Sequence, residues 1–339
     1  MINKVVFIVA GLLFSAVLEA KPSVEKQMEV LQEAEDYLTV KPSHSLRLLN
    51  TMSHRDVLPV ALKIRWHIIR VRASVPTNQL NMLEGSLKAL FEFETHSYFL
   101  NKLPTVLSAL GIWLRRKGYL AEADMSLQCA LKHAQGDAQR LTLINSRALV
   151  ARHMEDHQKA IKLYQRAARL AKELQHRSMS ATINNNMGAI ALDRADYVRS
   201  DRYFRAALEG YQSVDKRSGY ITAGVNLLFL FVLKGEALNY QRLYSPIKAM
   251  TDAFPNQSKK AFLHWINTAH AVQQGAKLST EERQALLNYF AQLESTKVKI
   301  LVAKHLAPIV QIDVPKISVE KAPPFEAKWF DKVRSCEWL

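Results

Sequence analysis

The sequence predicts an all-α fold of repeated helical hairpins, a right-handed solenoid with capping helices and an extended tail at its C-terminal end. Three observations lead there. Residues of matching size recur every 37 to 40 positions through the middle of the chain, and helical apolar periodicity continues on both sides of that stretch. Only 11 of 339 residues are glycine, which leaves few sites for the tight turns that a strand-rich chain requires. With 48% apolar residues the chain can bury a large core, and a repeat array of this length need not divide as a compact domain would.

Residues 1–20 read as a secretory signal peptide: a basic start ending at Lys4, an apolar run from Val5 to Leu18, and the small Ala20 before Lys21-Pro22. The run is about fourteen residues, short of the roughly eighteen to twenty that span a bilayer as a helix, so cleavage after Ala20 is preferred over a retained anchor. Leu227 to Leu233 is too short for a span and lies between Asn226 and Lys234. The expectation is a soluble exported chain, placed in the periplasm.

Residues 21–103 read as degenerate helical repeats. In KPSHSLRLLNTM, Ser45, Leu49 and Met52 supply the small and large packing residues of a second helix, and two further helices are expected from Val57 to Ala73 and from Thr77 to Phe93. Pro59 and Pro76 suit the first turns of these helices, where a missing amide costs little.

Residues 104–254 carry the clearest repetition. ATINNNMGAIALDRADYVRSDRYFRAALE sets Met187-Gly188 before Tyr197, Phe204 and Ala207; VLSALGIWLRRKGYLAEADMSLQCALKHA sets Leu110-Gly111, Gly118, Ala123, Leu127 and Ala130 in the same order. Between them stand Ala148, Ala160, Tyr164 and Ala167, with Arg147 where an apolar residue is expected, and a weaker fourth unit has Gly235 at its turn and Tyr244 as its aromatic. Ala123, Ala160, Ser200 and Tyr240 are equivalent, which sets the period. A small residue on the first helix lets its partner cross closely, and the partner supplies a large and a small residue one turn apart. These offsets resemble the tetratricopeptide repeat family over about 150 residues, which implies paired antiparallel helices with the first helices lining a concave face. The period exceeds the usual 34, and the surplus is expected in longer helices or in connections such as Gln135 to Arg140 and Gln175 to Ser180.

Residues 255–307 keep helical periodicity without the family offsets and read as C-terminal capping helices, one of them opened by a capping box of Ser279 and Glu282. Residues 308–339 change character: alternating IVQIDV, three prolines, then Phe325, Trp329, Phe330 and Trp338. They read as an extended arm whose apolar surface must pack on the solenoid or on a partner.

No glycine-rich phosphate loop and no Gly-x-Ser-x-Gly elbow occurs in the sequence, so nothing points to an enzyme or to a cofactor. His153 and His157 lie four apart but lack the zinc-protease order, and they read as packed or solvated side chains, not as a metal site. The more informative polar residues are asparagines on first helices: Asn145, Asn185, Asn186 and Asn226, two or three places before the packing residue. An asparagine amide can donate to a peptide carbonyl and accept from its amide, and so hold an extended chain. Asn185-Asn186-Met187-Gly188 resembles the Asn-Asn-Leu-Ala repeats of kinesin light chains, which implies peptide binding by these asparagines. Arg115, Arg116 and Arg152, about one turn further, could pair with acidic side chains or a terminal carboxylate. The lysine and asparagine set of carboxylate-clamp adaptors is absent, because Ile112 takes the asparagine position. The alternative is that the asparagines bridge neighbouring helices and the arginines are solvated.

The net charge of +15 would raise nucleic acid for a cytoplasmic chain, but export directs attention to protein partners, including a membrane-protein segment. An anionic envelope polymer or membrane surface is the alternative partner, one whose binding salt would weaken steeply. Cys129 and Cys336 can form one bridge in an oxidising compartment; otherwise Cys129 is a buried thiol and Cys336 pairs elsewhere. The reading as a whole is a peptide- or protein-binding adaptor serving envelope assembly or sensing.

Overall fold

The computed structural model describes residues 23–53, 55–317 and 325–338. The signal peptide expected at residues 1–20 lies outside them. Every regular element among the described residues is helical, and none of these helices is long and apolar enough to cross a membrane. The chain forms two compact units, residues 1–99 and 100–339.

In the first unit, α1 (Val24–Asp36) pairs with α2 (Pro42–Thr51), and α3 (Val60–Ser74) with α4 (Leu80–Phe91). Ser45 is the small residue that lets α2 approach α1, and its hydroxyl donates to the Ala34 carbonyl at 2.6 Å. Leu31, Leu49, Trp66 and Ile69 fill the core beneath. Pro59 caps α3, in keeping with its missing amide. Pro76 does not open α4. It lies in the turn before it, because Asn78 takes a left-handed conformation (φ 57°) and the Thr77 hydroxyl donates back to Ala73, so α4 begins only at Leu80.

A short helix, α5 (Ser97–Asn101), follows in sequence. The second unit then stacks four hairpins: α6 (Leu103–Lys117) with α7 (Leu120–Lys132), α8 (Asp137–His153) with α9 (His157–Glu173), α10 (Arg177–Asp193) with α11 (Tyr197–Gln212), and α12 (Arg217–Lys234) with α13 (Ala237–Asp252). The long period resides in the helices, several of them 17 residues, and not in the connections, since Gln135–Arg140 and Gln175–Ser180 mostly belong to the starts of α8 and α10. Within each hairpin one left-handed residue reverses the chain: Gly118, Glu155, Ala195 and Gly235, at the spacing of the repeat. Asp156 and Asp196 then cap α9 and α11 by accepting from the backbone amides of Lys159 and Arg199.

The close approaches follow the small residues. A Cβ on Gly188 would stand 2.7 Å from the Phe204 ring, and one on Gly111 would stand 2.5 Å from Leu127. Arg147, where an apolar residue was expected, is a tie between hairpins. It donates twice to Asp124, at 2.9 and 3.3 Å, and Lys159 donates to the same carboxylate. Burial raises the Asp124 pKa, but those two cations more than offset it and hold it below the ordinary value. The fourth hairpin departs from the expected register. Tyr240 occupies the small-residue position, so closest approach moves one turn along, to Gly224 against Ile247.

Beyond the hairpins, α14 (Gln257–Gln273) and α15 (Thr280–Ala291) continue the core, and both hydrogen bonds of the Ser279–Glu282 capping box are present. The expectation of an extended chain from Pro308 is corrected in two places. First, α16 (Thr296–Leu301) runs through a π-helical stretch, Val302–Leu306, into α17 (Ala307–Val310). The change of hydrogen-bond register at that stretch lets the helix continue past Pro308. Secondly, Phe330–Ser335 forms α18 against α7. Phe325 stacks edge-on to Trp113 and Tyr119, Phe330 is fully buried, and Cys336 is bonded to Cys129 with their Cα atoms 5.4 Å apart.

Candidate functional site

The first helices α8, α10 and α12 lie side by side, so residues about forty apart in sequence become neighbours. Asn226 Nδ2 donates to Asn185 Oδ1 at 3.0 Å, which joins α12 to α10 through part-buried amides. That bond leaves one donor group on Asn185 and one acceptor on Asn226 without a partner among the described residues. On α8, the Oδ1 of Asn145 is buried and unpaired. Asn186 reaches toward the Tyr164 hydroxyl, which has no well-formed hydrogen bond; burial first, against the pull of Arg152, Arg115 and Asn186, raises the pKa of that phenol. Unmet amide groups at one level of adjacent helices are what an extended peptide backbone could satisfy. The Asn185–Asn226 bond also bridges two helices, so both readings of these asparagines have a counterpart in the geometry.

Two of the three arginines, Arg152 and Arg116, already face acidic groups of the chain itself. Arg152 forms a two-pronged pair with Asp193, Nε to Oδ2 at 2.9 Å and Nη2 to Oδ1 at 3.2 Å, with both side chains mostly buried. Its backbone carbonyl at the end of α8 accepts from Lys297 Nζ at 3.1 Å. Glu294 attracts Arg116, whose pKa burial lowers. Arg115 is pushed down to about 10, by burial first and then by Arg116. His153, enclosed among Arg115, Lys297 and Arg152, is held neutral with a pKa of about 3, burial being the largest cause.

The segment just before and within α16 therefore closes the C-terminal ends of α6 and α8. Further along, His305 meets the Phe229 ring of α12 at 6.0 Å, and Arg283 donates to the carbonyls of Val310 and Gln311. The sequence reading set Arg115, Arg116 and Arg152 on the inner face about one turn beyond the packing residues and did not name Asp193, Glu294 or Lys297, the groups found around them. Asp193 could have been found, since it lies 41 residues after Arg152, one period on. Glu294 and Lys297 could not, because no repeat offset extends to them.

Among the described residues, one set of metal-ligating groups converges: Cys129, His133 and Cys336, within 4.8 Å of one another. Both sulfurs are committed to the disulfide.

The Tetratricopeptide repeat family model matches residues 139–213, which span α8 to α11 and so include Asn145, Asn185 and Asn186. No curated protein sequence matches the chain. Among solved structures, BtubC (BKLC) from P. vanneervenii is similar with 16% identity and a TM-score of 0.47, over 68% of this chain and 92% of that one. Aspartyl phosphate phosphatase F from Bacillus subtilis has 13% identity and a TM-score of 0.49, over 94% and 95%. A Rap protein complexed with Competence and Sporulation Factor has 12% identity and a TM-score of 0.44, over 85% and 98%.

Proposed function

We propose that this tetratricopeptide-repeat chain is an exported, periplasmic adaptor that holds an extended segment of a partner protein across the inner faces of α8, α10 and α12. The observation that carries the reading is the set of incompletely satisfied asparagine amides on three adjacent first helices, Asn145, Asn185 and Asn226. A peptide backbone offers a donor and an acceptor at every residue, and so can pair with such amides whatever its side chains. The partner engages the middle of these helices, because the chain's own residues already take up Arg152, Arg116 and the end of α8. The signal-like N-terminal sequence supports export, and the output then passes through the partner in envelope assembly or sensing.

The test is site-specific photocrosslinking in the native cell, with benzoylphenylalanine in place of Asn186 on the inner face or of Arg166 on the exposed outer face of α9. A partner captured from position 186 and not from position 166 supports the groove. Capture only from position 166 refutes it. N-terminal sequencing of the fractionated protein checks export, the expected first residue being Lys21.

A further inference from the structure

The first unit holds a cavity of about 490 Å³ between the Arg55–Val57 turn, α3 and the end of α4. That is within the range of small-molecule sites, roughly 300 to 1,000 Å³. Its base is Trp66, which is buried and donates its indole N–H to the Leu49 carbonyl. Two guanidinium groups, those of Arg55 and Arg70, stand over that one ring, each 5.0 Å from its centroid. The ring attracts both cations, and among the described residues neither arginine has a carboxylate partner to offset their mutual repulsion. Arg70 Nε and, beside it, His67 Nδ1 are buried without a hydrogen-bond partner among the described residues. Buried polar atoms of this kind call for a missing partner.

The charge count narrows what that partner is. Arg55, Lys63 and Arg70 line the cavity against Asp56 and Glu92, three cations to two acids. His67 adds no charge at neutral pH, because burial, followed by Arg70 and Arg55, lowers its pKa to about 4. Burial and Arg55 together lower the pKa of Arg70 as well. An arriving negative charge would relieve both shifts. One unit of surplus positive charge fits a single negative charge better than a doubly charged phosphate. The charged and polar groups dominate the lining, and Met52, Leu58, Ala89 and Phe93 add an apolar part to it besides Trp66.

We infer that this cavity binds a small organic monocarboxylate, with its oxygens on Arg55 and Arg70 and its apolar body against Trp66 and Phe93. Guanidinium forks match a planar carboxylate, and an aromatic floor supports the hydrocarbon. The site is separate from the asparagine face and does not depend on it.

The experiment is calorimetric titration of the mature chain with 3-phenylpropanoate, 3-phenylpropanamide and inorganic phosphate. The carboxylate is expected to bind with a Kd of about 1 mM or tighter and the neutral amide at least about tenfold more weakly, the difference one charge-assisted contact makes. Arg70→Gln and, on the exposed turn, Arg55→Gln should each weaken the carboxylate by about tenfold, with unchanged helical content checked by circular dichroism. If Arg70→Gln fails to fold, Arg55→Gln alone decides. Equal binding of acid and amide, no binding of the acid by about 10 mM, or phosphate binding as tightly as the acid would each overturn the assignment.

Discussion

The middle and the C-terminal ends of the inner helices carry the same kind of repeat register yet face different surroundings. Mid-helix, Asn226 bonds to Asn185, and the buried oxygen of Asn145 has no hydrogen-bond partner among the described residues. One or two turns further on, Arg116, Arg152 and His153 meet Glu294, Asp193 and Lys297, two of which come from the non-repeating C-terminal segment. A repeat thus fixes where a side chain stands on its helix, while a segment outside the repeat decides whether it remains available. In the proposed function the middle of the face is the part that takes the partner.

Breaking the anchor of that segment should have the largest effect. The Cys129–Cys336 bond closes a loop of 207 residues, and in the entropic account of cross-links such a loop contributes about 5 kcal/mol. Replacing both cysteines by serine should lower the urea midpoint well beyond any single inner-face substitution, and reducing the wild type should have a similar effect. A change under about 1 kcal/mol would show that the arm packs without needing the bond.

Asp193→Asn comes next. It removes the carboxylate from a mostly buried pair and leaves Arg152 near Arg115 and Lys297 without compensation, a loss of about 3 kcal/mol by urea unfolding. The same end of the face should be sensitive to acid. His153 has a pKa of about 3 in the folded chain against 6.5 ordinarily, so between those values the unfolded chain binds more protons than the folded one. Its contribution is complete above pH 6.5 and falls away as pH drops toward 3, by about 2 kcal/mol between pH 6.5 and 5. His67 acts in the same direction in the first unit, so the informative quantity is the difference between wild type and His153→Gln. The variant should show a flatter pH–stability curve over that window; parallel curves would contradict the buried, neutral state of His153.

What could be read from the sequence follows from these physical differences. Hairpin packing depends on residues at fixed offsets, so Gly188 against Phe204 and Gly111 against Leu127 were readable, as was the capping box at Ser279. The fourth hairpin was less so, because Tyr240 at a small-residue position moves the contact to Gly224 and Ile247. Turns were half visible: Gly118 and Gly235 announce a left-handed residue, whereas Glu155 and Ala195 adopt the same conformation without a sequence sign. The engagement of the arginines was hidden, since the link from Lys297 to Arg152 spans 145 residues with no pattern to connect them. The cavity around Trp66 was hidden too, because Arg55 and Arg70 converge only once the turn folds over α3.

The smallest expected effect sharpens the comparison most. Asn226→Ala removes the donor to Asn185 but leaves the one remaining amide, that of Asn185, part-buried and able to reach water, so the stability cost should be about 1 kcal/mol, the net value of a neutral hydrogen bond. Asn145→Ala should cost less or even stabilise, because its buried oxygen has no bond to lose and a buried unpaired acceptor is itself unfavourable. If these amides serve a partner, the order reverses in binding: the double variant should lose affinity for a peptide captured at position 186 by at least about tenfold, two such contacts being worth roughly 1 to 3 kcal/mol together. Stability measured by urea and affinity measured by calorimetry on the same variants separate the two roles. A double variant that binds as well as the wild type and is destabilised by more than about 2 kcal/mol would make the asparagines bridges between helices and leave the middle of the face without a function.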